Sequence, residues 1–476
     1  MKYMSRFGRL ELVAMLLVML LSASCGGVSK GLLDTVPASS PMVGGVDMDA
    51  VLKQAGCDVS GDTVNLTPEL SSLLVAKESG MLPVPVRLLS RLHGTVDMSH
   101  VVLFSLDKAG HDNVLVADVT DRDGFVNGLS DMAESVPGAD ELDMYSVDGW
   151  SVSVAADRMW MAAGKPADLC ESVMALLSMK GNESISSLAG IADFLNSGST
   201  VCLALQPSAL SPVAVDRQTS DWSCVSVKME DAVIGVDFCQ MAGDGRMVKL
   251  TQGMQEVNTD FLRYIPQSYV FAMAAGFSSD FNWKEITSAA SLVLGPSNSS
   301  YVSMLAPLLS KIDGTVAFAA GPASGAPAVA NLGLDTWDML LMVHMPQSDV
   351  NNALSMLQSY GAMAGIKMDA GRDNVIEATL PDGTKVYAGN VDGYLAVSNR
   401  EFDSSMSNAM TDIFLSKQAA MVVNIPAGSE IVKAFGMPCG FDFNVQMADD
   451  YVHGRLSLNG NDRRVFQTLV EMLARK

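Results

Sequence analysis

The residue groups in this chain that could do chemistry are few, and each fails on spacing or on place. Gly27-Val28-Ser29-Lys30-Gly31 has the Gly-x-Ser-x-Gly spacing of a nucleophile elbow. That chemistry needs its serine on a strained strand-to-helix turn beside an oxyanion hole. Here Ser29 stands four residues after Cys25 in a glycine-rich tether, so no such turn is expected. His93, His100 and His111 fall at spacings of seven and eleven, with Asp107, Asp112, Asp121 and Asp123 nearby. A zinc site needs a tighter set, with cysteines or a His-Glu motif, so these read as surface histidines. Asp121-Arg122-Asp123-Gly124 begins like a calcium loop but lacks the third acid and the bidentate glutamate at the twelfth position. It reads as a helix cap.

Other signatures are missing or unspecific. The chain has no Gly-x-x-x-x-Gly-Lys phosphate loop and no Cys-x-x-Cys pair for redox or zinc-ribbon chemistry. Its 53 carboxylates are too many to single out an acid and a base, because a glycosidase pair is defined by separation in space. Trp150, Trp160, Trp222, Trp283 and Trp337 could stack on a sugar, yet Trp150 and Trp160 fall on alternating segments. An aromatic there packs across strands. The 32 methionines read as core filler, with a soft-metal or peptide-binding surface as the alternative. No catalytic residue, metal site or cofactor is nominated.

Two cysteines are placed by the pattern around them. Trp222–Met229 and Val233–Met241 alternate as two strands turning at Asp231-Ala232, which sets Cys224 directly opposite Cys239. They read as buried thiols acting as small hydrophobes. A cross-strand disulfide, needing a Cβ separation of about 4 Å, is the alternative. The remaining cysteines of the body are Cys57, Cys170, Cys202 and Cys439.

Cys25 belongs to another pattern. Lys2, Arg6 and Arg9 lead into the apolar run Leu12–Leu21, followed by Ser22-Ala23-Ser24 and Cys25. A basic lead, a short apolar stretch and small residues describe a secretory signal rather than a spanning helix. Ten apolar residues rise only about 15 Å as a helix, half a bilayer core. With cysteine at the cut, the pattern resembles a bacterial lipoprotein signal, whose cysteine carries fatty acyl chains such as palmitate. An ordinary signal cut near Ala23 or Ser24 would leave Cys25 a free thiol. Residues 1–24 are thus expected to be a lipoprotein signal peptide and 25–32 a tether.

The composition is 49% hydrophobic and 18% charged, which allows a large packed core and argues against global disorder. A length of 476 residues suggests two or three domains. Fifty-three acids against 31 bases give a net charge of -22, which repels nucleic acid and anionic membrane surfaces. No second apolar run is long enough to span a bilayer, so the membrane is expected to hold the chain through Cys25 alone.

Along the body, meanders are crossed by helices, the mark of an α+β fold with antiparallel sheets. Asp49 is read as capping a helix over Ala50–Gln54, Thr67-Pro68-Glu69 as opening another, and Asp121–Asp123 as capping a third. Asp148-Gly149 makes a hairpin turn. A helix after Pro166 buries Leu169, Val173 and Leu177, and a last helix after Asn461-Asp462 carries Val465, Phe466, Leu469, Val470 and Leu473 on one stripe. Gly321–Asn331 reads as a surface loop.

The order then returns. Ile265-Pro266-Gln267-Ser268 echoes Val36-Pro37-Ala38-Ser39, Leu340–Met345 echoes Leu115–Thr120, Asp382-Gly383 echoes Asp148-Gly149, and Gly454 echoes Gly235. The offsets stay within 219–234 along the whole length. Two divergent copies are expected, at 33–252 and 257–476, each a largely antiparallel sheet with helices on one face.

The lipoprotein start, the Val-Pro-Ala-Ser or Ile-Pro-Gln-Ser opening before a strand and helix, and the doubled body together resemble a Bacteroidales family of exported lipoproteins. That family's domain has no assigned function. The resemblance implies an outer-membrane lipoprotein and supplies no catalytic residues. Gly26-Gly27-Val28-Ser29-Lys30 lacks the acidic cluster that resembles a surface-export signal, which favours the periplasmic face. The expected function is non-enzymatic: a binding or scaffold module of the cell envelope. Its acidic surface suits a basic or neutral protein or peptide partner. An envelope hydrolase acting on glycan or peptide is the alternative.

Overall fold

The computed structural model describes residues 30–60, 63–75, 83–106, 112–136, 142–206, 221–266, 269–283, 307–323, 336–363, 365–370, 375–403, 411–434, 439–448, 450–459 and 464–474. Cys25, the signal before it and His111 lie outside these residues. The chain divides into two compact units, Met1–Val248 with Asp462–Lys476, and Lys249–Asn461.

In the first unit, segments rich in valine and methionine form β1 (Met42–Val46), β2 (Asp58–Ser60), β3 (Thr63–Asn65), β4 (Val96–Ser105), β5 (Asn113–Val119) and β6 (Glu134–Val136). They continue as β7 (Asp143–Val147), β8 (Trp150–Ala155), β9 (Arg158–Ala163), β10 (Val201–Leu205), β11 (Trp222–Met229), β12 (Val233–Met241) and β13 (Met247–Val248). β2 and β3 make a separate hairpin. The others pair antiparallel in the order β13-β12-β11-β10-β1-β4-β5-β9-β8-β7-β6.

The helices of this unit are α1 (Lys30–Leu33), α2 (Met48–Gln54), α3 (Pro68–Leu74), α4 (Val84–Arg91), α5 (Arg122–Ser130), α6 (Pro166–Leu177) and α7 (Ala189–Leu195). Their starts are written locally. Thr67 Oγ1 accepts from Leu70 N at 3.2 Å, and Asp121 Oδ1 accepts from Gly124 N at 3.1 Å. At α2 the cap is Asp47, whose Oδ1 accepts from Ala50 N at 2.8 Å. Asp49, the expected cap, sits inside the first turn. On α6 the buried residues are Leu169, Val173 and Leu176, at helical spacing, while Leu177 faces solvent.

Helices cover both faces of this sheet, where one face was expected. Val102, Phe104, Val116, Trp160, Cys202, Trp222, Cys224 and Cys239 pack with α1, α6 and α7. Val101, Ala117, Val152, Val154, Met159 and Met161 pack on the opposite face with α4 and α5. The reason lies in β8, whose apparent alternation is not one of exposure. Ser151 and Ser153 are buried as deeply as Val152 and Val154. A strand enclosed on both faces carries no inside–outside alternation to read.

The second unit contains β14 (Met254–Gln255), β15 (Phe271–Phe277), β16 (Gly314–Pro322), β17 (Trp337–His344), β18 (Lys367–Ala370) and β19 (Ile376–Thr379). It continues with β20 (Lys385–Val391), β21 (Tyr394–Ser398), β22 (Ala419–Ile425), β23 (Gly440–Ala448) and β24 (Tyr451–Asn459). These pair antiparallel as β24-β23-β22-β15-β16-β17-β21-β20-β19-β18, with β14 on the end of β15. A 3-10 turn at Thr259–Tyr264 and α9 (Thr411–Phe414) contribute Phe261, Leu262 and Phe414 to the core on one face. The other face packs α8 (Gln347–Met363) through Val350 and Ala353. Gly321 and Pro322, expected in a loop, end β16; residues 324–335 lie outside the described set.

The last helix, α11 (Val465–Ala474), follows α10 (Glu430–Ala434) in sequence. The apolar stripe of this helix does not say which sheet it covers, and the expected bounds 257–476 put the helix in the second copy. It belongs to the first unit, against α3 and α2. Val465, Phe466, Thr468 and Val470 are buried there, while Leu473 is exposed. Arg464, just before it, donates to the carbonyl of Lys53 and lies 3.1 Å from Asp231. No helix among the described residues is long and apolar enough to cross a membrane.

Candidate functional site

A cavity of about 600 Å3 opens in the second unit beside the end of β21. Tyr264, Pro266 and Tyr269 reach it from the approach to β15, Leu340 from β17, Lys385 and Tyr387 from β20, and Ser398–Asp403 from the segment leaving β21. The turn-off at β21 is built from side chains that replace backbone partners. Asn399 Oδ1 accepts from Met339 N and its Nδ2 donates to Trp337 O, both at 2.7 Å. Ser398 Oγ donates to Met339 O at 2.9 Å and accepts from Arg400 N at 3.0 Å. With β17 satisfied in this way, the chain leaves the sheet and carries Arg400 and Phe402 to the cavity.

The two cations at the cavity are paired. Arg400 Nη1 donates to Asp338 Oδ2 at 2.8 Å, and Lys385 Nζ lies 2.7 Å from Glu377 Oε1. Asp338 is buried on β17. Burial pushes the Tyr269 hydroxyl up, the Asp338 carboxylate adds to this, and Arg400 opposes it. Burial also raises Tyr264, to about 12, helped by its hydrogen bond to Asp392. Both phenols therefore stay neutral across the physiological range. Arg263 lies 3.0 Å from the same Asp392 and 5.5 Å from the Tyr264 ring centre. These contacts fix the Tyr264 wall to the β20–β21 turn.

A second cavity, of about 470 Å3, lies in the first unit against α6. It is lined by Pro37 and Leu106, by Leu176 and Met179, and by Glu171 and Glu183. Each cavity thus takes the proline of one of the two echoed openings.

The residues singled out by sequence fall as follows. Cys224 and Cys239 are register partners on β11 and β12, both buried, and both are thiols. His93, expected on the surface, is buried, with Nε2 2.9 Å from Asp49 Oδ1. His100 is half-buried, 2.8 Å from Asp97 Oδ2. Among the described residues no group of three His, Cys, Asp or Glu is placed to hold a metal. Trp160, Trp222 and Trp337 are core residues, and Trp283 packs on Phe277 and Phe281 at 4.6 and 4.9 Å. Sequence reasoning missed Tyr387 and Arg400, because the strand order that gathers them is not local.

No protein-family model and no curated protein matches the chain. A solved structure titled "Structure of crystal form I of TP0453" aligns at 9% identity over 44% of this chain and 78% of its own, with a TM-score of 0.27. A likeness that loose carries no argument.

Proposed function

We propose that this chain is a non-enzymatic lipoprotein of the cell envelope, anchored in the outer membrane through Cys25 with its body on the periplasmic side. In this reading it binds an envelope protein or peptide in the tyrosine-lined cavity of its second unit. The observation that carries the reading is the pairing of both cations there, beside four aromatic rings. Arg400 is held by Asp338 and Lys385 by Glu377. The aromatic faces of Tyr264, Tyr269, Tyr387 and Phe402 are left as the recognition surface. A cavity of this size, with aromatic walls and a few placed polar groups, suits a ligand site. General acid–base catalysis asks instead for a group poised to gain or lose a proton near working pH.

The two units also read as divergent copies of one α+β unit. Their support is the pairing order: β12-β11-β10-β1-β4-β5-β9-β8-β7-β6 matches β24-β23-β22-β15-β16-β17-β21-β20-β19-β18 strand for strand. Leu32, Leu33, Val36 and Pro37 match Phe261, Leu262, Ile265 and Pro266 at one constant offset, and in each unit the sheet strand begins five residues after the proline. The three apolar residues of each set are buried. The family likeness to Bacteroidales lipoproteins rests on the sequence motifs.

Affinity capture from crosslinked envelopes tests the binding role. Wild-type protein should enrich a protein or peptide partner that Tyr387→Ala recovers at least tenfold less. Turnover of envelope glycan or peptide by the purified protein, lost in Glu401→Gln or Asp403→Asn, would instead establish the hydrolase.

A further inference from the structure

The first unit gathers three buried thiols on one face of its sheet: Cys202 on β10, Cys224 on β11 and Cys239 on β12. Among the described strand pairs, Cys224 and Cys239 are the cysteines that face each other directly. Backbone alternation fixes how close they come. Glu230 and Val233 exchange both backbone hydrogen bonds at the turn, at 2.8 and 3.3 Å. Six residues along each arm, an even step, Cys224 and Cys239 return to the same kind of pair. Such a pair has a Cα separation of about 5.5 Å, inside the range that a disulfide spans.

Cys202 is in a different position. It stands opposite Ser226, one diagonal step from Cys224, and its Sγ donates to Leu195 O at 3.3 Å. A diagonal neighbour lies about 7–8 Å away, at or beyond the limit for bridging without backbone movement.

We propose that Cys224 and Cys239 form a cross-strand disulfide when the chain folds with a disulfide donor present, and that Cys202 is excluded from it. Both thiols are open in the folding hairpin, so either can attack first; one route begins at Cys239. Its thiolate joins one sulfur of the donor disulfide and expels the other as a thiolate. Cys224 then attacks the Cys239 sulfur and releases the donor's second thiol. Two thiols of this chain lose two protons and two electrons, and the donor disulfide becomes two thiols. Since both thiols end buried in the core that this face shares with α1, α6 and α7, the exchange belongs to the folding hairpin, before the face closes. The bond depends on neither the tether nor the cavity of the second unit.

The test is to refold the reduced full chain in oxidised and reduced glutathione, quench with acid, unfold, alkylate and map the peptides. The expected product links the Cys224 and Cys239 peptides and leaves Cys202 alkylated. Cys202→Ser should give the same link, and Cys224→Ser or Cys239→Ser should lose it. The mapping of the wild-type chain stands even where a variant folds poorly. Alkylation of both Cys224 and Cys239 in the refolded wild type, or a bond from either to Cys202, would overturn the proposal.

Discussion

Arg400 and Asp338 join the segment leaving β21 to the buried edge of the cavity, with Nη1 2.8 Å from Oδ2. Asp338 is the buried partner and Arg400 the half-exposed one. Removing Arg400 strands a carboxylate, whereas Asp338→Asn leaves a neutral acceptor in its place. Arg400→Ala should therefore cost about 1–2 kcal/mol in urea unfolding, below the range for a fully buried pair because water reaches the guanidinium. Asp338→Asn in the Arg400→Ala background should recover part of that loss. Equal stability of the single and double variants would contradict the pairing.

Asp97 supplies a pH dependence. Burial alone would raise its carboxyl, but hydrogen bonds from Ser99 and His100 outweigh this and hold it below the ordinary 3.8. A carboxyl depressed in the folded state adds stability above its unfolded pKa, and that stability is lost as pH falls through the folded value. Asp97→Asn should cost roughly 1 kcal/mol at neutral pH. The gap from wild type should close as the pH drops below 3.8. Denaturant midpoints across pH would show it, and a gap that widens toward acid would refute it.

The β8–β9 turn should be improvable. Ala156 and Asp157 both adopt positive φ, 51° and 58°, without a glycine, whereas the β20–β21 turn uses Asp392 at 49° and Gly393 at 85°. Asp157→Gly relieves that conformation while giving up some unfolded-state order. A net gain of about 0.5–1 kcal/mol is expected in the unfolding midpoint. A loss would show that the Asp157 side chain contributes more than its backbone strain costs.

Much of the local structure could be read from neighbours in sequence. The turn at Asp231-Ala232 set Cys224 opposite Cys239, and Thr67 and Asp121 announced their helices. The cap of α2 is Asp47 and not Asp49 two residues on, a choice that only the geometry of the Ala50 amide makes. His93 looked like a surface residue because its partner, Asp49, lies 44 positions away. The cavity is harder still, because Tyr264, Leu340, Tyr387 and Arg400 become neighbours only through sheet order. The stripe on α11 showed a buried face but not which sheet would cover it.

Phe466 is buried on α11 against the first unit, so Phe466→Ala should cost about 3 kcal/mol. Hydrogen exchange should speed up in α2, α3 and the strands of the first unit, while β15–β24 keep their protection. Loss of protection confined to residues 249–461 would place the helix elsewhere.

A photo-crosslinking amino acid in place of Tyr387 reads whether an envelope partner occupies the tyrosine-lined cavity. Met363, at 83% exposure on α8, is the control position. On irradiation of intact cells, a discrete protein or peptide adduct is expected from position 387, absent from position 363 and weakened by Arg400→Ala. No adduct at 387, or the same adducts from both positions, would contradict it.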